Sequence, residues 1–163
     1  MAKTPKSPLK PETRLVNAGR DPQSQFGFVN PPVYHASTVL YPTAEDQVAH
    51  RARYVYGRRG TPTTEALEAA LRDIEGENCA GVVLCPSGLA AISTALIAVA
   101  GAGNHILITD SVYRPTRNFC ESVFKRMGVE ATYYDPLIGA DIGKLFKPKT
   151  KVVFVEAPGS QSF

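Results

Sequence analysis

Four short stretches place polar, aromatic or cationic side chains where a folded chain can do chemistry. The first is Pro86-Ser87-Gly88-Leu89, set between an apolar run and a helical pattern. A strand-to-helix turn with a glycine presents free backbone N–H groups at the positive end of a helix dipole, which suits an anion such as phosphate. The same four residues also read as an ordinary capped helix, with Ser87 as the cap and Gly88 merely tolerated. The second stretch is Tyr54-Val-Tyr56-Gly57-Arg58-Arg59-Gly60. The planar fork of arginine matches a phosphate and a tyrosine hydroxyl adds a donor, but a solvated basic turn has the same composition. The third is Tyr113, just past an apolar run, where the loops at the carboxyl ends of parallel strands bind ligands. It could stack on a planar ring or sit half-buried as a loop tyrosine. The fourth, Glu156-Ala157-Pro158-Gly159-Ser160, follows another apolar run and reaches the same rim. There Glu156 could simply end a strand.

Other chemistries lack their residues. His35, His50 and His105 share no metal-ligand spacing, and neither a G-x-S-x-G elbow nor a G-x-x-x-x-G-K loop occurs, which sets aside hydrolase and P-loop readings. Cys79, Cys85 and Cys120 form no C-x-x-C pair and are odd in number. Reduced thiols of a cytoplasmic protein are expected, with no disulfide framework and no metal.

These stretches need elements to position them. Residues 1–60 are broken by Pro5, Pro8, Pro11, Pro22, Pro31, Pro32 and Pro42 and predict an extended arm lying across the body or a second subunit. Regularity begins at Thr61-Pro62, a helix cap followed by proline at the first helical position. Leu67, Leu71 and Ile74 then recur at helical spacing and Gly76 stops the run. A strand over Gly81–Cys85, a buried helix over Ser87–Ala100 and a strand over His105–Thr109 come next. A helix over Arg114–Met127 ends at Gly128, and strands follow over Ala131–Asp135 and Lys151–Glu156. Strands alternating with helices predict an α/β fold with a mostly parallel sheet and flanking helices. The last strand has no helix after it, so the sequence reads as cut short, with an apolar edge and face expected to be exposed around Val152 to Val155.

Composition agrees with a folded domain. Of 163 residues, 44% are apolar and 20% charged, with 13 Gly and 13 Pro, which excludes a disordered, collagen-like or coiled-coil chain. The net charge of +3 is carried by the tail, where Lys3, Lys6, Lys10 and Arg14 face only Glu12. A nucleic-acid binder concentrates positive charge on its folded face, so no nucleic-acid partner is expected. The longest nearly apolar run, Leu89 to Ala100, is too short to span a bilayer, and no membrane partner is expected.

Taken together the sequence resembles the Cys/Met-metabolism family of pyridoxal-phosphate (PLP) enzymes. The resemblance runs from about Thr13 onward and rests on five stretches in order. They are Tyr56-Gly-Arg-Arg-Gly-Thr-Pro-Thr63, Pro86-Ser-Gly-Leu-Ala-Ala91, Tyr113-Arg-Pro-Thr-Arg-Asn-Phe-Cys120, Tyr134-Asp-Pro-Leu-Ile-Gly-Ala-Asp-Ile142 and Val155-Glu-Ala-Pro-Gly-Ser160. It implies an arm, residues 1–60, serving contacts between subunits, and over 61–163 the first half of an aspartate-aminotransferase-like PLP-binding domain. It further implies that Tyr56, Gly57 and Arg58 help hold the cofactor phosphate of a neighbouring subunit. Gly88 and Leu89 would supply backbone donors to the same group, Tyr113 would stack on its ring, and Ser160 would be a cofactor-side polar position. Tyr56 and Tyr113 would assist proton movement.

Where many γ-synthases and γ-lyases carry Asn-Pro-Thr, this sequence has Gly60-Thr61-Pro62-Thr63, as β-lyases do. The implied reaction is β-elimination of L-cystathionine to homocysteine, pyruvate and ammonia, in a homotetramer of dimers sharing sites. A γ-lyase, a γ-synthase or a non-catalytic fragment are the alternatives. The family's Schiff-base lysine has no match among the lysines at 3, 6, 10, 125, 144, 147, 149 and 151, so this chain alone is expected to be inactive.

Overall fold

A computed structural model describes residues 9–160. Lys3 and Lys6 of the basic tail lie outside them. The chain divides at Leu84 into two compact units.

Residues 9–84 contain helices α1 (Pro11–Asn17), α2 (Ala44–Val48) and α3 (Pro62–Glu75). α3 forms as its caps dictate. The Thr61 side chain accepts from the Thr64 amide, Thr64 answers on the Thr61 backbone, Pro62 opens the helix and Gly76 closes it at φ 99°. The arm is tied to this helix. Arg14 of α1 pairs with Asp73, Arg53 pairs with Glu65 at 2.5 Å, and the Tyr54 hydroxyl donates to Glu65. The Tyr34 amide donates to Thr63 Oγ1, whose hydroxyl donates to the Pro32 carbonyl, both at 2.8 Å. Among the described residues of this unit no apolar side chain is buried, so polar links hold the arm.

Residues 85–160 build helix α4 (Gly88–Val99), strand β1 (His105–Thr109), helix α5 (Arg114–Phe119) running into a π-helical turn (Cys120–Phe124), strand β2 (Glu130–Tyr134), a 3₁₀ turn (Gly139–Leu145) and strand β3 (Thr150–Phe154). The sheet is parallel in the order β2-β1-β3. β1 is central and every residue in it is buried, which is why His-Ile-Leu-Ile-Thr reads as a continuous run rather than an alternating one. Ile106 and Ile108 face Leu96, Ala100, Val112, Cys120, Phe124 and Val129 in the core. On the opposite face His105 is bonded through both ring nitrogens, Nδ1 to Thr150 Oγ1 at 2.7 Å and Nε2 to Thr132 Oγ1 at 2.9 Å. Tyr134 donates to the Phe154 carbonyl at 2.9 Å.

Three expectations differ. Residues 81–85 pair with no strand among the described residues; without a ladder partner an apolar run stays extended coil. The helix over 88–99 is apolar all round, yet only Leu96 is buried and Ile97 is 49% exposed, because β3 and α5 cover one side of it. The helix from Arg114 widens at Cys120 instead of continuing as α. Thr116, Cys120 and Phe124 are all buried at a spacing of four. An α-helix carries a residue four positions on about 40° around the axis, and the wider turn over Cys120–Phe124 carries the next one back, so Phe124 returns to the side of Thr116. Of the apolar residues expected to be exposed around Val152 to Val155, Val153 and Val155 are exposed, whereas Val152 and Phe154 pack partly buried against the core.

Candidate functional site

In residues 85–160 the chemistry-bearing groups gather where β1 and β3 end. Tyr113 is the residue before α5, with φ −46° and ψ 125° and no side-chain cap of its own. Its backbone N–H donates to Glu156 Oε2 at 3.2 Å. The other oxygen of that carboxylate, Oε1, accepts from the Ser160 hydroxyl at 2.5 Å, and the Ser160 amide donates to the Ser111 carbonyl at 3.1 Å. The loops after β1 and β3 are therefore knotted through Glu156. Tyr113 is 45% exposed. Ser160 gives its hydroxyl proton to Glu156, which leaves its oxygen free to accept.

The start of α4 supplies a second element. Ser87 Oγ accepts from the Ala90 amide at 3.1 Å, and the Ser87 carbonyl accepts from Ala91. The amides of Gly88 and Leu89 have no acceptor among the described residues. A Cβ placed on Gly88 would meet nothing within 4 Å, so the helix start is open to a bound group. Open amides at the head of a twelve-residue helix and a half-exposed tyrosine in the loop after β1 fit a phosphorylated planar cofactor.

In residues 9–84, Arg58 stacks on the ring of Tyr56, its guanidinium carbon 4.8 Å from the centroid. It makes no ion pair among the described residues, which leaves its fork uncommitted. Tyr56 bridges Thr38 in antiparallel fashion, and the Gly57 amide donates to the Ser37 carbonyl at 2.6 Å. Gly57 is required there by packing, since a Cβ would lie 2.1 Å from the Ala36 carbonyl oxygen.

Two features escaped sequence reasoning. One is the Glu156 bridge. The other is Arg117, which donates to the Asp110 carbonyl at 2.9 Å and to its carboxylate at 2.5 Å while lying 3.7 Å over the Tyr133 ring. Burial pushes the Tyr133 phenol up to about 12, so this platform stays neutral. Among the described residues no acidic, His or Cys cluster could hold a metal, and no helix is long and apolar enough to cross a membrane.

A parallel α/β sheet with polar and aromatic loop residues at its carboxyl ends defines the class, and comparison with known proteins places the chain within it. The model of the Cys/Met metabolism PLP-dependent enzyme family matches residues 12–163, and the chain belongs to that family, whose cofactor is PLP. A relative from Rhizobium johnstonii is 52% identical over 151 residues, 93% of this chain and 38% of its own length. The cystathionine beta-lyase MetC of Escherichia coli is 41% identical over 156 residues, 93% of this chain and 39% of its own. The solved cystathionine gamma-lyase of Lactobacillus plantarum, complexed with L-serine, superposes with a TM-score of 0.78 at 30% identity, covering 89% of this chain and 36% of its own. The chain thus spans about two-fifths of the length of the curated relatives it matches.

Proposed function

We propose that the protein carrying this segment is a PLP-dependent carbon–sulfur lyase that cleaves L-cystathionine by β-elimination. The observation that supports the reading is the open start of α4, where the Gly88 and Leu89 amides lack acceptors among the described residues and a Cβ on Gly88 would meet nothing within 4 Å. Those amides bind the cofactor phosphate, helped by the helix dipole. Tyr113 holds the ring by stacking, and Tyr56 and Arg58 add a phenol and a charged fork to the phosphate of a neighbouring subunit. Bound PLP supplies an electron sink for negative charge developing at the substrate α-carbon. The phenols of Tyr113 and Tyr56 hold or pass a proton at their Oη atoms. The assembly is a cytoplasmic homotetramer of dimers in which residues 1–60 reach between subunits. The 163 residues by themselves carry cofactor contacts and no turnover.

The test is cofactor titration and product analysis of the full-length protein. Arg58→Ala removes a charged phosphate contact and should weaken PLP binding by about ten- to a hundredfold, the equivalent of about 1.5–3 kcal/mol. Unchanged affinity would reject the phosphate role of Arg58. Likeness to a gamma-lyase structure favours γ-elimination as the second reading. Pyruvate released from cystathionine supports the β-lyase, and 2-oxobutyrate supports the alternative.

A further inference from the structure

We infer that Glu156 is a positioning residue, setting the orientation of Tyr113 by spanning two loops with the two oxygens of one carboxylate. The inference rests on the reading of Tyr113 as the ring platform. The Tyr113 carbonyl is held by the Thr116 and Arg117 amides at 2.9 and 3.3 Å, but its side chain makes no cap bond and the residue is half exposed, so the N–H side of the residue needs an anchor of its own. The acceptor that fixes it is Glu156 Oε2, at 3.2 Å from the Tyr113 nitrogen. Glu156 is in turn held from the other side, because Ser160 donates to Oε1 at 2.5 Å. Ser160 is itself anchored by its amide to the Ser111 carbonyl at 3.1 Å. The result is a closed circuit, Tyr113 to Glu156 to Ser160 to Ser111, that joins the loop after β1 to the loop after β3. Since Cα–Cβ direction follows the backbone, releasing the Tyr113 amide lets the ring turn away from a planar ligand.

The property that matters is length. A glutamine keeps the reach: its carbonyl accepts from the Tyr113 amide while its NH₂ donates to a reoriented Ser160 hydroxyl. An aspartate keeps the charge but withdraws the carboxylate by about 1.5 Å. The Tyr113 bond already lies at the long end of the ordinary range, and it does not survive that withdrawal.

The experiment compares Glu156→Ala, Glu156→Asp and Glu156→Gln in the full-length protein. Two readouts are taken: amide hydrogen exchange over residues 110–116 without cofactor, and PLP affinity together with the induced circular dichroism of the bound cofactor. Ala and Asp should exchange faster, bind PLP about tenfold more weakly and lose cofactor dichroism, whereas Gln should stay within about threefold of the parent. If Asp behaves as the parent while Gln behaves as Ala, the charge rather than the span is what counts, and the inference is overturned. It is equally overturned if all three match the parent. Should Ala not fold, the contrast between Asp and Gln decides alone. If the unmodified protein binds no PLP, the proposed function fails, and the exchange pattern still decides the role of Glu156.

Discussion

The thiol of Cys120 offers a quantitative test of the core. It is 1% exposed, packed among Leu96, Ile106, Val112, Phe124 and Val129. Burial raises its pKa from 9.0 to about 11, with Glu121 pushing the same way and Arg117 opposing. Alkylation requires thiolate. At about pH 8 a thiol of pKa 9.0 is about one-tenth ionised and one of about 11 is about one-thousandth ionised. Ionisation alone should therefore slow iodoacetamide labelling of Cys120 about a hundredfold on folding, and steric exclusion should slow it further. The perturbation is denaturant, and the assay is timed alkylation of native and unfolded protein, quenched and read by peptide mass spectrometry. Cys79 and Cys85, both partly exposed, serve as internal references for reagent access. A native rate within about tenfold of the unfolded rate would refute the packing described for α5 and the π-helical turn.

Two further outcomes follow from named contacts. Burial holds the His105 imidazole below its ordinary 6.5, with Lys147 acting the same way and Glu130 opposing. The unfolded chain therefore takes up the proton first as pH falls below 6.5, and stability should drop by up to about 1.4 kcal/mol per pH unit. Denaturant midpoints across that range should show a slope that His105→Asn reduces, and identical slopes would refute it. Gly57→Ala places a Cβ 2.1 Å from the Ala36 oxygen and should destabilise the 36–38 and 56–58 pairing by about 1–3 kcal/mol. Hydrogen exchange over those residues should quicken, and an unchanged pattern would count against the close approach.

What the sequence discloses is mostly local. Thr61, Pro62 and Gly76 bound α3 because capping is a matter of three or four adjacent residues. The apolar run at 105–109 announces a central strand because both its faces are covered. The strand expected over 81–85 illustrates the limit, since composition marks an apolar run but says nothing about whether a partner lies alongside. Site residues divide the same way. Ser87 and Gly88 sit on a readable turn and Tyr113 on a readable rim. Glu156 looked like a strand end because its partners, Tyr113 and Ser160, come from another loop and a later turn. Gly57 looked like part of a phosphate loop, and its contact with Ala36 joins residues with no shared pattern.

The imidazole at the start of the central strand also bears on how the chain avoids misfolding. Side chains on a strand alternate faces, so a slip of one residue would exchange all of them. For β2 the slip replaces Thr132 with Ala131 or Tyr133; for β3 it replaces Thr150 with Lys149 or Lys151. Either error takes the threonine hydroxyl away from a buried ring nitrogen, and an unanswered nitrogen costs about 1–3 kcal/mol. Because the two nitrogens are answered by threonines from opposite neighbours, His105 works as a proofreading contact. It adds to the apolar pattern a contact that discriminates the native alignment of three strands from its nearest competitors.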